Sequence, residues 1–99
     1  MRDPEMMAKV RVILDTIAHD SPGHAVELRV PPYAAIQCVE GPRHRRGTPP
    51  NVVEMSADVL LGLASGDLIW NECVENGSIH ASGERSDLSR IFLALAGKK

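Results

Sequence analysis

The sequence has very few aromatic residues: among its 99 residues there is one tryptophan, one tyrosine and one phenylalanine. Because hydrophobic residues still make up 43% of the chain, its buried core must be built mainly from aliphatic side chains. A core of that kind is more adaptable in shape than one that contains several rings. The length suits one domain, so we expect residues 1–99 to fold as a single unit.

Cysteine is scarce as well, and its spacing excludes the common cysteine sites. Cys38 and Cys73 are far apart, match no Cys-x-x-Cys pattern and each lie beside apolar residues. They are therefore expected to be buried free thiols rather than a disulfide or a redox pair. The histidines at 19, 24, 44 and 80 also lack metal-ligand spacing, which predicts no metal and no cofactor.

Long apolar runs are missing. No run approaches the ~18 residues that a membrane span needs, and the N-terminal stretch MRDPEMM has no apolar signal core. These absences predict a cytoplasmic protein without stable membrane insertion.

Positive charge is concentrated in one stretch, GPRHRRGT at residues 41–48. Without Arg43, Arg45 and Arg46 the chain holds 8 basic and 13 acidic residues, a net charge of -5. The stretch is not a phosphate-binding P-loop, because five residues separate its glycines, no lysine precedes Thr48, and Pro42 lacks an N–H. Two interpretations stay open: a solvated turn, or an anion-binding loop formed by Arg43, His44, Arg45 and Arg46. The acidic remainder argues against a nucleic-acid partner.

Hydrophobic periodicity predicts the order α-βββ-αα-β-α. Asp3 and Pro4 begin a helix that residues 19–23 end, and Val26–Val30 alternates as a strand. Strands YAAIQCV and NVVEMS follow, and short connections favour an antiparallel meander with Ile36 and Cys38 buried and Gln37 exposed. Next come a helix between Ser56 and Gly66, a helix LIWNECVEN capped by Asp67, a short strand with Ile79 and Ala81 on one face, and a terminal helix. The pattern predicts an α+β domain with a mainly antiparallel sheet and helices packed on one face.

No catalytic motif is present. Ser82 lies near His80, Glu84 and Asp87, but neighbouring residues at a strand end point in different directions, and there is no Gly-x-Ser-x-Gly elbow. A structural interpretation is favoured, with Ser82 or Ser86 capping the last helix and Asp87 at its positive end. Trp70 is expected in the core, or as one wall of a cavity. The sequence therefore predicts a protein that is not an enzyme.

Two stretches, GPRHRRGTPPN and LASGDLIW…GSIHASGERSDL, resemble the small sterol-carrier-protein orthologues of actinobacteria. The resemblance covers about Val26 to Leu95 and leaves the first helix outside. It implies the sterol-carrier fold, a curved sheet with helices on one side of an apolar cavity or tunnel. A related domain forms the C-terminal part of mycothiol-dependent maleylpyruvate isomerases, but the metal-holding domain of those enzymes is not found in this chain.

The resemblance implies non-enzymatic binding of a fatty acid, acyl-CoA or sterol-like lipid. An anionic head group would lie near Arg43 to Arg46. The apolar tail would lie against Val26, Leu28, Ile36, Cys38, Val53, Met55, Trp70, Ile79 and Phe92. The alternative is a protein-interaction or accessory module with a filled core and no lipid cavity. The sequence identifies neither a protein partner nor an oligomeric state.

Overall fold

The structure is a computed structural model that describes residues 3–41 and 51–97. Within these ranges the order of elements is the predicted α-βββ-αα-β-α. The elements are α1 (Pro4–Asp20), β1 (Val26–Val30), β2 (Ala34–Cys38), β3 (Asn51–Met55), α2 (Ala57–Ser65), α3 (Trp70–Glu75), β4 (Ile79–Ser82) and α4 (Ser89–Gly97).

The first helix begins as the sequence predicts. The Asp3 carboxylate accepts hydrogen bonds from the backbone N–H groups of Glu5, at 2.9 Å, and Met6, at 3.4 Å, and Pro4 follows as the first helical residue. This cap pairs donors that have no partner within the helix. The buried side chains of α1 are Val10, Leu14 and Ile17, which pack into the common core.

The sheet is mixed, which corrects the predicted meander. Its strand order is β2-β1-β3-β4, and β3 runs parallel to β1 instead of pairing with β2. The other two pairs, β1 with β2 and β3 with β4, are antiparallel. Asn51 adds a side-chain contact to this parallel pairing, because its side-chain N–H donates to the carbonyl of Ala25, the residue before β1, at 2.7 Å.

The predicted sheet faces are largely confirmed. Cys38 is buried and Gln37 exposed, while Ile36 is only half-buried because β2 lies at an edge of the sheet. On β4, Ile79 and Ala81 pair with Met55 and Val53 of β3 and so share one face, as predicted, but only Ile79 is buried and Ala81 is exposed. The inner sheet face and the helices enclose one aliphatic core.

Two helix starts differ from the prediction. α3 begins at Trp70, because the Leu68 N–H donates to the Gly62 carbonyl at 3.0 Å and thus still belongs to the end of α2. Asp67 therefore does not cap α3. The predicted end of α2 at Gly66 is confirmed, since this glycine has a left-handed φ of 88°.

The cap of α4 also differs. Ser86 does not cap this helix, since its hydroxyl donates to the Gly83 carbonyl at 2.7 Å, and Ser82 ends β4 with an exposed side chain. Instead, the Asp87 carboxylate accepts the backbone N–H of Ser89 at 2.9 Å, so the predicted place of Asp87 at the start of the helix is confirmed.

Candidate functional site

The residues predicted to surround an apolar tail lie together in the core. Eight of the nine are buried, with exposed fractions between 0 and 7%, and Ile36 is half-buried beside them. They come from all four strands, α3 and α4. Most of them therefore contact other core side chains rather than open space.

A groove opens between the α2–α3 connection and α4, with a volume of about 250 Å³. It is slightly smaller than the ~300–1,000 Å³ of a drug-sized ligand site, so a ligand of that size would fill it and protrude. Of the predicted tail-binding residues, Trp70 and Phe92 line it. The complete lining is Leu63, Gly66, Leu68, Ile69, Trp70, Asn71, Ser89, Phe92, Leu93 and Ala96.

Trp70 and Phe92 form the inner wall of this groove. Their rings stack with centroids 5.9 Å apart and planes inclined by 20°, and both residues are almost fully buried. Aromatic pairs at this separation stabilise a contact beyond the burial of their area. Two of the three aromatic residues of the chain, one from α3 and one from α4, therefore contact each other at the groove.

The sequence did not point to the residues at the mouth of the groove. Leu68 is 39% exposed, Ile69 57% and Leu93 72%, all large apolar side chains on one opening. Leu68 and Ile69 were expected within a helix, where consecutive side chains point about 100° apart. Their place in the connection before α3 leaves both at the surface. An apolar cluster of this kind on a rim marks a binding site more often than an isolated exposed leucine does.

The lining of the groove carries no charged side chain. The lining residues with polar side-chain groups are Asn71, Ser89 and Trp70. The Ser89 backbone N–H and, secondarily, its hydroxyl bind the Asp87 carboxylate, which lowers the pKa of Asp87 below its usual value. Among the described residues, neither the Asn71 amide nor the Trp70 indole has a hydrogen-bond partner.

The predicted anion-binding residues Arg43, His44, Arg45 and Arg46 lie outside the described residues. The structure does describe the residues on both sides of them. A Cβ on Gly41 would lie 2.8 Å from the Ala25 Cβ and 3.2 Å from the Arg85 side chain. Asn51 accepts the Arg85 N–H at 2.9 Å. Arg85, which sequence reasoning did not single out, is therefore the described cation nearest this stretch.

A second, more open groove of about 470 Å³ lies on the other side of α4, beside Arg85. Arg85 and Arg90 line it, but so do the carboxylates of Asp20, Glu40 and Asp87. An anion would meet more negative than positive groups there, so this groove is the weaker candidate site.

The cysteines and the serine–histidine cluster form no reactive centre in the described part of the chain. Cys38 and Cys73 are buried free thiols, and burial raises the pKa of Cys38 to about 11, which keeps it protonated at neutral pH. His80 and Ser82 are exposed on β4, and no hydrogen bond joins them. Within residues 3–41 and 51–97, no group of three metal-ligating side chains converges. None of the described helices is both long and apolar enough to cross a membrane.

Solved structures with the same fold have very different sequences. A protein titled "UbiJ-SCP2 Ubiquinone synthesis protein" superposes with a TM-score of 0.53 at 15% identity, covering 97% of this chain and 93% of its own. Sterol Carrier Protein 2 Like 2 from Aedes aegypti has a TM-score of 0.53 at 12% identity, covering 92% of this chain and 98% of its own. These likenesses show the fold.

A comparison of this sequence with curated proteins found no match. The family described as "Bacterial SCP ortholog" matches residues 2–94. This match includes α1, so the first helix is part of the family's domain, contrary to the narrower resemblance seen in the sequence. Together with the sterol-carrier fold, it shows that the chain belongs to the bacterial SCP orthologue family.

Proposed function

We propose that this chain, acting as one domain, is a non-enzymatic carrier of a small amphipathic ligand of the fatty acid, acyl-CoA or sterol-like class. The apolar part of the ligand would occupy the groove between the α2–α3 connection and α4. One observation carries the proposal: Leu68, Ile69 and Leu93 expose apolar side chains around an opening whose inner wall is the stacked Trp70–Phe92 pair.

The packing of the core supports this choice of groove. Val26, Leu28, Cys38 and Val53 have no exposed surface, so a tail could reach them only if helices separated from the sheet. The groove offers apolar surface without that cost. Its volume of about 250 Å³ suits the end of a tail or a compact ring better than a whole long acyl chain.

The proposed carrier would act in the cytoplasm and exchange its ligand without entering a membrane. Two buried cysteines held as free thiols support a reducing compartment. The acidic balance of the chain outside residues 43–46 supports a small-molecule ligand rather than a nucleic acid.

Trp70 provides the test, because it is the only tryptophan and it lines the groove. Linear amphiphiles of increasing tail length should shift its fluorescence. Each added methylene should tighten binding about fourfold while it enters apolar surroundings, at ~0.8 kcal/mol per group. The gain should stop once the groove is full.

A matched pair of surface variants completes the test. Leu93→Ser removes an apolar side chain at the mouth of the groove, and Val12→Ser removes one of similar exposure, 67%, from α1. Only the first should weaken binding. If no amphiphile shifts Trp70 fluorescence and native mass spectrometry of the purified protein detects no bound lipid, the carrier proposal fails.

In that event the alternative, an interaction module with a filled core, becomes the better explanation of the same exposed residues. The near-complete burial of the residues first expected to contact a tail favours this second candidate. A protein partner would then cover Leu68, Ile69 and Leu93.

A further inference from the structure

We propose that Asn71, together with the indole N–H of Trp70, selects the polar end of the ligand. The groove would then prefer an uncharged amphiphile with a carbonyl or hydroxyl oxygen over a carboxylate with the same tail. This inference rests on the proposed function, since it assigns the head-group chemistry of the same groove.

The first observation is an unpaired donor in a buried residue. Trp70 is only 7% exposed, and its indole N–H donates to none of the described residues. A buried N–H of this kind ordinarily has a partner, and because Trp70 lines the groove, a ligand there could supply the acceptor.

The second observation is the neighbouring amide. Asn71 lines the same groove, and its side chain also has no hydrogen-bond partner among the described residues. An amide offers two donors and an acceptor, so it can bind either a carbonyl or a hydroxyl group. Trp70 and Asn71 are consecutive residues at the start of α3, and both line the groove.

The charges around the groove disfavour a carboxylate as the head group. No lysine or arginine lines it. Asp67 and Glu72 adjoin its lining in sequence on the α2–α3 connection and α3, whereas Arg90 adjoins Ser89 on α4. A carboxylate next to Asn71 would lose water without gaining a cation from the lining, and the two acids close to Asn71 in sequence would repel it. A neutral oxygen has neither cost.

This inference and the predicted anion-binding loop differ about the head group, and ligands with one tail separate them. Calorimetry would compare decanol, methyl octyl ketone, decanoate and decane at neutral pH. We expect the alcohol and the ketone to bind at least tenfold more tightly than decanoate. Decane, which lacks an oxygen, should bind more weakly than the ketone.

Two asparagines at opposite ends of α3, Asn71 in its first turn and Asn76 just after its last residue, supply the matched variants. Asn71→Asp places a charge in the groove, whereas Asn76→Asp makes the same change at the end of α3, away from the lining. Asn71→Asp should weaken ketone binding severalfold and Asn76→Asp should leave it unchanged. Trp70→Phe removes the N–H and also reduces the ring, so it should weaken both ligands, but it should weaken the ketone about two- to tenfold more than decane.

The possible outcomes separate the head-group preference from the proposed function. Tighter binding of decanoate than of decanol, or equal effects of the two aspartate variants, would overturn the inference. If all four ligands bind equally well, the groove still carries apolar ligands but does not read a head group. If none of them binds, the proposed function itself is wrong.

Discussion

The side-chain carbonyl of Asn51 accepts a hydrogen bond of 2.9 Å from the backbone N–H of Arg85, while its amide donates to the Ala25 carbonyl at 2.7 Å. One buried side chain therefore joins the start of β1, the start of β3 and the turn before α4. Asn51 is the only buried polar residue among those described, with 4% of its surface exposed.

Asn51→Leu should lower the free energy of unfolding by about 1–3 kcal/mol, because the Ala25 carbonyl would stay buried without a partner. Urea unfolding would measure the loss. Asn76→Leu removes an acceptor from an exposed turn, where Asn76 binds the Ser78 N–H, and should cost less than about 1 kcal/mol. Similar losses in both variants would contradict a central role for Asn51.

Two glycines with positive φ angles should respond differently to alanine. At Gly23, φ is 143° and an added Cβ would lie 2.2 Å from the Val39 carbonyl oxygen. At Gly77, φ is 84° and nothing lies within 4 Å of that position. Gly77→Ala should lower the free energy of unfolding by only ~1–2 kcal/mol, because alanine is disfavoured in the left-handed conformation. Gly23→Ala must also push away the Val39 backbone, so it should lower the free energy of unfolding by roughly 3 kcal/mol or more. Thermal unfolding of both variants would test this order.

Asp87 should make the stability of the protein depend on acid. The hydrogen bond from the Ser89 N–H, with a smaller effect from the Ser89 hydroxyl and Arg90, holds the pKa of Asp87 below its ordinary 3.8. A lowered folded pKa stabilises the protein above pH 3.8, and this contribution is lost as the pH falls through the folded pKa. Urea unfolding of the parent and Asp87→Ala should therefore differ at neutral pH and converge in stronger acid. A constant difference would show that the charge plays no part.

The basic loop stays a prediction that binding measurements can test. If Arg43, Arg45 and Arg46 hold an anionic head group, replacing all three with Gln should raise the dissociation constant of a fatty acid tenfold or more. Each well-formed charge-assisted hydrogen bond contributes ~1.5–3 kcal/mol. A neutral ligand with the same tail should lose much less. Unchanged binding of both ligands would identify the loop as a solvated turn.

The sequence predicted the elements well because each is encoded locally. Alternation over Val26–Val30 and helical spacing in α1 depend only on neighbouring residues. Which strands pair with each other in the sheet, in contrast, is not determined by neighbouring residues. β3 pairs with β1, and Asn51 contacts Ala25, 26 positions earlier in the chain; no periodic pattern reports such long-range contacts.

The mouth of the groove could not be predicted from local patterns either. Leu68 looks like a helical residue by spacing, yet a Cβ on Gly62 would lie 2.5 Å from its side chain, so the missing Cβ makes room for it. That contact holds Leu68 at the end of α2 and moves the start of α3 to Trp70. The exposed rim of the groove follows from this packing, which hydrophobic periodicity alone does not predict.

The contacts of Ala25 bear on how this protein could diversify. The described chain contacts Ala25 at Gly41 and again at Asn51, so the two described ends on either side of residues 42–50 lie close together. When the two ends of a segment are fixed close together, each doubling of its length costs only ~0.6 kcal/mol. Related chains could therefore acquire different chemistry between Gly41 and Asn51 while retaining the groove.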